Sequence, residues 1–313
     1  MTTKMKLPVA LLAAAALTLT ACSAGGGAVT PSPTVSSSTA PGAPDVDRDP
    51  SGELPTISFD ADGIPTMTTV DADPPSVISV QTLTAGDGET VADGDFVTVD
   101  YAGFLWSDGS EFDGSYGTGA PAHFSLHEVV DGWRYGLTGT RVGDRVLVVV
   151  PPDYGYGDVD DDSIPAGSTL VFVVDVLATV TVTTEALTAA TPVEATLPPG
   201  LTVSGELGQE PALEFAADSP EPTEAQVIVL AEGSGDVVTD TDYLLYHVVL
   251  GYWGSQDYSS WSESFQQTEG GGGPETIGQR VGSRLLLIYP TDDENGIESQ
   301  AIVIDLLAAI PEQ

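Results

Sequence analysis

The chain has 313 residues, room for about two domains of ordinary size, and its 41% apolar content supports globular folding. Only 8 Lys and Arg stand against 47 Asp and Glu, a formal net charge of −39. Such an acidic surface repels polyanions and excludes nucleic acid as a partner; its plainest role is to keep a secreted protein soluble.

The N-terminus reads as an address. Lys4 and Lys6 precede the apolar run LPVALLAAAALTL, about the length of a signal-peptide core and too short for a membrane span of ~20 residues. The run ends at Leu19-Thr20-Ala21-Cys22, followed by Ser23-Ala24-Gly25, which resembles the lipobox of bacterial lipoproteins. That resemblance implies a signal peptide over 1–22 and Cys22 as a lipid-carrying mature N-terminus. Two or more acyl chains anchor stably, so the expected location is extracytoplasmic, tethered to the cell membrane. Cys22 is also the only cysteine, so no intrachain disulfide can form.

Residues 23–52 are small, polar and proline-rich, with almost nothing to form a core, and read as a flexible linker. Past it the pattern is mainly strand. Val97, Val99 and Tyr101 alternate with polar residues, as a half-buried strand should. Arg145–Val150 and Thr169–Asp175 are β-branched runs bounded by glycine and proline. Between them Val129–Leu137 has room for two helical turns, with Val130, Trp133 and Leu137 on one face. The expectation is an α+β fold, an antiparallel sheet packed on one short helix.

The chain then repeats itself. Asp71-Ala-Asp-Pro-Pro75 faces Asp218-Ser-Pro-Glu-Pro222, Gly86 and Gly88 face Gly233 and Gly235, and Trp106 faces Trp253, all at an offset of 147. Arg141-Val-Gly-Asp-Arg145 faces Arg280-Val-Gly-Ser-Arg284 at 139, and Asp175-Val-Leu-Ala178 faces Asp305-Leu-Leu-Ala308 at 130. A duplicated domain whose second copy has lost two loops is the simplest account. The expected domains are 53–183, with a core over 77–180, and 184–313.

Conventional reactive groups are scarce. Asp158, Asp160 and Asp162 match the first three alternate positions of an EF-hand loop, but Ser163 stands where glycine is needed and Thr169 where glutamate is needed. An acidic surface loop is the better reading. His123 and His127 enclose a strand-like Phe-Ser-Leu that would hold them ~13 Å apart, too far to share a zinc. His247 stands alone, and the Gly270–Gly273 run lacks a phosphate-loop lysine and reads as flexible loop. No nucleophile-elbow motif occurs. No metal and no cofactor are expected.

Widely spaced aromatics remain. Tyr101-Ala-Gly, Gly109-Ser-Glu-Phe-Asp113, Val129-Val-Asp-Gly-Trp133, Val142-Gly-Asp-Arg145, Pro152-Asp-Tyr-Gly-Tyr-Gly157 and Ile164–Phe172 follow one another in an order that resembles the FKBP-type peptidyl-prolyl cis–trans isomerases. The resemblance covers about Val77 to Val180. It implies an antiparallel sheet of five or six strands curled around one short helix, and an apolar pocket for a proline ring. Carried over by position, Trp133 forms the floor, and Tyr101, Phe112, Val129, Val130, Tyr156 and Phe172 the walls. Asp113 lies at the rim and Ile164 in the loop after Tyr156. The Val130 N–H and the Tyr156 hydroxyl would hold substrate carbonyls. The implied partners are proline-containing unfolded or secreted polypeptides, and the implied activity assists extracytoplasmic folding. The rival reading is a lipoprotein that uses such folds only to hold peptides or a partner. A monomer is expected.

Two departures from the family pattern stand out. Ala122 takes the place of a wall aromatic, and Thr118 the place of an arginine paired with the rim aspartate. They imply a wider pocket, an Asp113 without an ion partner, and weaker binding of the family's macrolide inhibitors. In the second copy Tyr101 meets Val248, Trp133 meets Gly272, and most of the Tyr154–Ile164 loop is deleted. Residues from about 192 onward are therefore expected to keep the fold without the chemistry, with Trp253, Tyr258 and Trp261 packing its core.

Overall fold

A computed structural model describes residues 43–160, 163–262, 264–292 and 296–311. The expected signal peptide, Cys22 and most of the expected linker lie outside these residues. The chain divides at Thr181/Val182 into two compact units. Among the described residues no helix is long and apolar enough to cross a membrane.

The first unit holds β1 (Val46–Asp47), β2 (Thr56–Phe59), β3 (Pro65–Thr68), β4 (Ile78–Thr84), β5 (Phe96–Leu105), β6 (Glu111–Gly114), β7 (Ala122–Ser125), α1 (Asp131–Leu137), β8 (Arg145–Val150) and β9 (Leu170–Val180). Its sheet runs β1-β4-β8-β9-β5-β6, with β7 also on β5. All these pairings are antiparallel except β1 with β4, which is parallel. The wholly antiparallel expectation is corrected to that extent. So is the linker boundary: Val46 pairs with Ile78 and packs on the core.

β5 explains the layering. Val97, Val99, Tyr101 and Leu105 point to one core, shared with Trp133 and Leu137 of α1. Ala102 and Phe104, with Trp106 just beyond, point to another, with Leu147, Val149, Val171 and Val173. Both faces are covered, so β5 is buried along almost its whole length, Asp100 alone being half-buried, rather than the half-buried strand its alternation suggests. The second face is covered by the β2–β3 hairpin, through Ile57, Phe59 and Met67. Arg145 pins that hairpin: its guanidinium lies 4.1 Å from the Phe59 ring centre while it forks onto Asp175.

The second unit holds α2 (Glu185–Thr188), β10 (Thr191–Pro192), β11 (Leu201–Ser204), β12 (Ala212–Phe215), β13 (Gln226–Glu232), β14 (Tyr243–Tyr252), β15 (Tyr258–Ser259), β16 (Gln266–Thr268), β17 (Arg284–Tyr289) and β18 (Gln300–Ile310). Its sheet runs β10-β13-β17-β18-β14-β15, with β16 also on β14. A hairpin, β11–β12, packs Leu201, Leu213 and Phe215 on its sheet. Arg284 forks onto Asp305 and also donates to the Gln209 carbonyl at 2.7 Å.

The glycine run of this unit is packed rather than loose. Gly270–Gly272 forms a 3-10 turn in which Gly271 and Gly272 are buried. All four glycines, 270 to 273, take positive φ of 63°, 62°, 80° and 115°, which side chains rarely adopt. A Cβ on Gly272 would lie 2.9 Å from Leu244 Cδ2. The flexible-loop expectation is wrong here because the turn serves as a core-filling element.

Candidate functional site

In the first unit β5, β6, β7 and β9 bring four rings together with Trp133 of α1. The Trp133 ring is 5% exposed and meets Tyr101, Phe124 and Phe172 edge-on, at centroid separations of 5.2, 5.0 and 5.4 Å. Phe112 stands edge-on to Phe172 at 5.7 Å, and Phe124 to Tyr101 at 5.6 Å. Edge-to-face packing sets positive ring edges against negative faces and fixes each ring against its neighbours. The result is a rigid aromatic lining built on sheet and helix.

Each expected site residue can be placed. Tyr101, Trp133, Ile164 and Phe172 belong to one buried cluster, and Phe112, Val129 and Val130 pack partly buried against it. Tyr156 lies outside that cluster, 49% exposed, in the loop leading to Ile164. Its hydroxyl makes no hydrogen bond among the described residues, so it is open to a ligand. Asp113 stands exposed at the end of β6. Its Oδ2 accepts the Tyr101 hydroxyl at 2.6 Å and its Oδ1 accepts the Gly114 N–H at 3.0 Å. Burial, then the neighbouring Asp113, push the Tyr101 phenol well above its ordinary range, so it stays protonated as the donor.

Phe124 is the ring that the sequence reading omitted. It lies two residues after Ala122 on β7, on the same strand face. Ala122 indeed brings no ring, but Phe124 supplies one directly against Trp133. The period-two pattern Ala122-x-Phe124 was the available signal. Thr118 donates to the carbonyls of Ser115 and Ala120, closing a turn and leaving Asp113 to Tyr101.

Val130 sits at the N-cap of α1 with φ −59° and ψ 149°. Its carbonyl accepts from the N–H groups of Trp133 and Arg134, while its own N–H has no acceptor among the described residues. An unpaired donor beside a cluster of apolar rings is equipped to take a ligand carbonyl.

The other candidates fall to structural roles. His123 faces Thr98 Oγ1 at 3.1 Å and stacks on Phe96. β7 stops at Ser125, so His127 lies in a turn rather than further along a strand. Asp160 accepts the Ala166 N–H at 3.2 Å, within the loop; Asp162 lies outside the described residues. His247 and Ser260 approach to 3.1 Å, which looks like a base and a nucleophile. Ser260 is fully buried, however, and its oxygen accepts the Val248 N–H. Ser115 accepts the Tyr101 N–H in the same way in the first unit. Trp253 packs on Phe215 and Trp261 stacks on His247, both within the core of the second unit. Tyr258 accepts from Gln266 at 3.3 Å.

Comparison with known proteins points to the same stretch. A family model for the FKBP-type peptidyl-prolyl cis-trans isomerase matches residues 87–177. The FKBP-type peptidyl-prolyl cis-trans isomerase FkpA of Escherichia coli is 44% identical over 97 residues, covering 31% of this chain and 36% of that protein. The chain thus spans little more than a third of that relative's length. An FK506-binding protein of Streptomyces anulatus is 36% identical over 110 residues, covering 34% of this chain and 89% of that protein. A crystal structure of FkpA from Escherichia coli aligns over 34% of this chain and 50% of that chain, with 40% identity and a TM-score of 0.32.

Proposed function

The chain belongs to the FKBP-type peptidyl-prolyl cis–trans isomerase family, and from that premise we propose that its first unit isomerises X-Pro bonds in unfolded extracytoplasmic polypeptides. The observation that carries the reading is the rigid ring set around Trp133 beside an unbonded Val130 N–H.

The barrier to rotating a peptide bond is ~18–20 kcal/mol because rotation breaks amide resonance. X-Pro bonds populate both isomers and exchange in tens to hundreds of seconds. The planar amide is the more polar form, so an apolar enclosure disfavours it relative to the twisted one. Holding the proline ring over Trp133 while the preceding carbonyl turns is catalysis by differential binding, with no covalent step. In this reading Tyr101, Phe112, Phe124 and Phe172 wall the ring, and Val129 and Ile164 close its edges. The Val130 N–H and the Tyr156 hydroxyl hold flanking carbonyls. Asp113 fixes the Tyr101 ring through its phenol.

The second unit is proposed as a copy of the first that keeps the scaffold and lacks the site. Support comes from the shared strand order and from the matching bridges Thr90–Arg141 and Val237–Arg280. The pairs Arg145–Asp175 and Arg284–Asp305 fall at matching positions as well. Where the first unit has α1 and Trp133, the second has the buried Gly270–Gly272 turn. The proposed setting is a lipid anchor at Cys22.

The test is a protease-coupled assay of a proline tetrapeptide with the full chain and with Tyr156→Phe. The reading predicts wild-type acceleration and a loss of about 3- to 10-fold in kcat for the variant, the range of one hydrogen bond made in the transition state. A wild type that binds the peptide without changing its exchange rate would favour the binding-module reading instead.

A further inference from the structure

The helix that carries the pocket floor is weak by its own sequence. α1 has 7 residues, no side-chain N-cap, and glycine at 132 and 136. Helices of this length do not hold themselves in water, and each interior glycine costs about 1 kcal/mol against alanine. The glycines are required by close approach: a Cβ on Gly132 would lie 2.2 Å from Val150 Cγ1, and one on Gly136 2.8 Å from Val148 Cγ1. α1 therefore lies tight on β8 at the expense of its own stability, and something outside it must hold its end.

The carbonyls at that end can be accounted for one by one. The Arg134 carbonyl accepts the Thr138 N–H and hydroxyl, and the Leu137 carbonyl accepts those of Thr140. Tyr135, Gly136 and Thr138 remain. All three accept from one guanidinium, that of Arg48, at 2.9 Å for Tyr135, 3.3 Å for Gly136 and 2.5 Å for Thr138. Arg48 reaches them because Val46 and Asp47 are hydrogen-bonded along β4 as a parallel strand, and Val46 packs on the core that holds Trp133. A fixed cation on the negative end of a helix is favourable both as a hydrogen-bond donor and against the dipole.

We propose that Arg48 is a positioning residue for the isomerase site, clasping the C-terminal end of α1 so that Trp133 and the Val130 N–H keep their places. It lies outside the stretch 87–177 matched by the family model, so the arm before that stretch is a working part of this enzyme. The proposal rests on the isomerase reading for its consequence, though not for its geometry.

The experiment uses the full chain and compares wild type with Arg48→Ala, Arg48→Lys and, as a control, Arg141→Ala. Arg141 is also a cation that donates to a single carbonyl, that of Gly88, away from the pocket. Two readouts are taken: turnover of a proline tetrapeptide, and amide hydrogen exchange across the chain. Arg48→Ala is expected to lower kcat and to speed amide exchange in α1 by up to about fivefold, the effect of removing a cation from a helix end. Its faster exchange should be confined to 131–138. Arg48→Lys, which keeps the charge without the fork, should recover part of both effects, and Arg141→Ala should change neither. Unchanged exchange over 131–138, or faster exchange spread evenly over the first unit, would overturn the proposal. If wild type shows no turnover, the isomerase reading falls, and the exchange pattern still decides whether Arg48 holds α1.

Discussion

Tyr101 and Asp113 are joined by a 2.6 Å hydrogen bond, and the same tyrosine ring meets Trp133 edge-on at 5.2 Å. One side chain thus ties the polar rim to the apolar floor. Removing the phenol oxygen should free the ring to rock without emptying its place. Tyr101→Phe is expected to lower kcat/KM by about 3- to 10-fold with little change in folding, and Asp113→Ala to do nearly the same. A double variant no worse than either single one would identify the bond itself as the cause.

Phe124 provides a second test, because its role rests on packing alone. Phe124→Ala should destabilise the first unit by about 2–3 kcal/mol, less than a fully buried phenylalanine, and reduce turnover as Trp133 loses a neighbour. Phe124→Leu should keep most of the stability and still reduce turnover. Denaturant unfolding and the tetrapeptide assay, run on the same samples, separate the two effects.

The pairs Arg145–Asp175 and Arg284–Asp305 differ in burial and should differ in consequence. Side-chain exposure is 32% and 20% for Arg145 and Asp175, but 3% and 1% for Arg284 and Asp305. Arg284→Ala leaves Asp305 buried and unpaired, and should cost about 3–5 kcal/mol. Arg145→Ala, whose partner still meets water, should cost about 1–2 kcal/mol. Arg284→Met with Asp305→Leu should recover most of the loss, since removing both charges removes the stranded one. Chemical denaturation followed by tryptophan fluorescence reads all four proteins.

His247 predicts a pH dependence. Burial pushes its imidazole below the ordinary histidine value, with the Glu210 charge acting weakly the other way. The unfolded chain therefore takes up a proton at higher pH than the folded one. Stability is fully present above the unfolded pKa of about 6.5 and is lost as pH falls from there through the lowered folded value. His247→Gln should remove that part of the loss. The comparison is made by thermal unfolding of both proteins between about pH 8 and 5, and parallel curves would refute it.

Much of this molecule is legible in its sequence where partners are near or where the pattern is periodic. Val130, Trp133 and Leu137 mark α1, and the alternation Val97, Val99, Tyr101 marks β5. What escaped reading depends on distant partners. Arg48 is a lone cation in a proline- and serine-rich stretch, and its carbonyls lie 87 to 90 residues away. The β2–β3 hairpin falls before the expected core of 77–180, since nothing local to it records the face of Leu147, Val149, Val171 and Val173 that it covers. Four glycines in a row look loose because nothing local records that Leu244 requires a residue without a side chain at 272. Phe124 is hard to read because it stands two residues past Ala122, the position where the family pattern places the ring.

The chemistry is proposed to reside in the first unit alone. The most direct measurement is the protease-coupled isomerase assay on residues 43–181 and on residues 182–311, prepared separately at equal concentration. The first should accelerate cis–trans exchange of a proline tetrapeptide, and the second should leave the uncatalysed rate unchanged. Equal activity in the two, or none in the first while it remains folded, would contradict it.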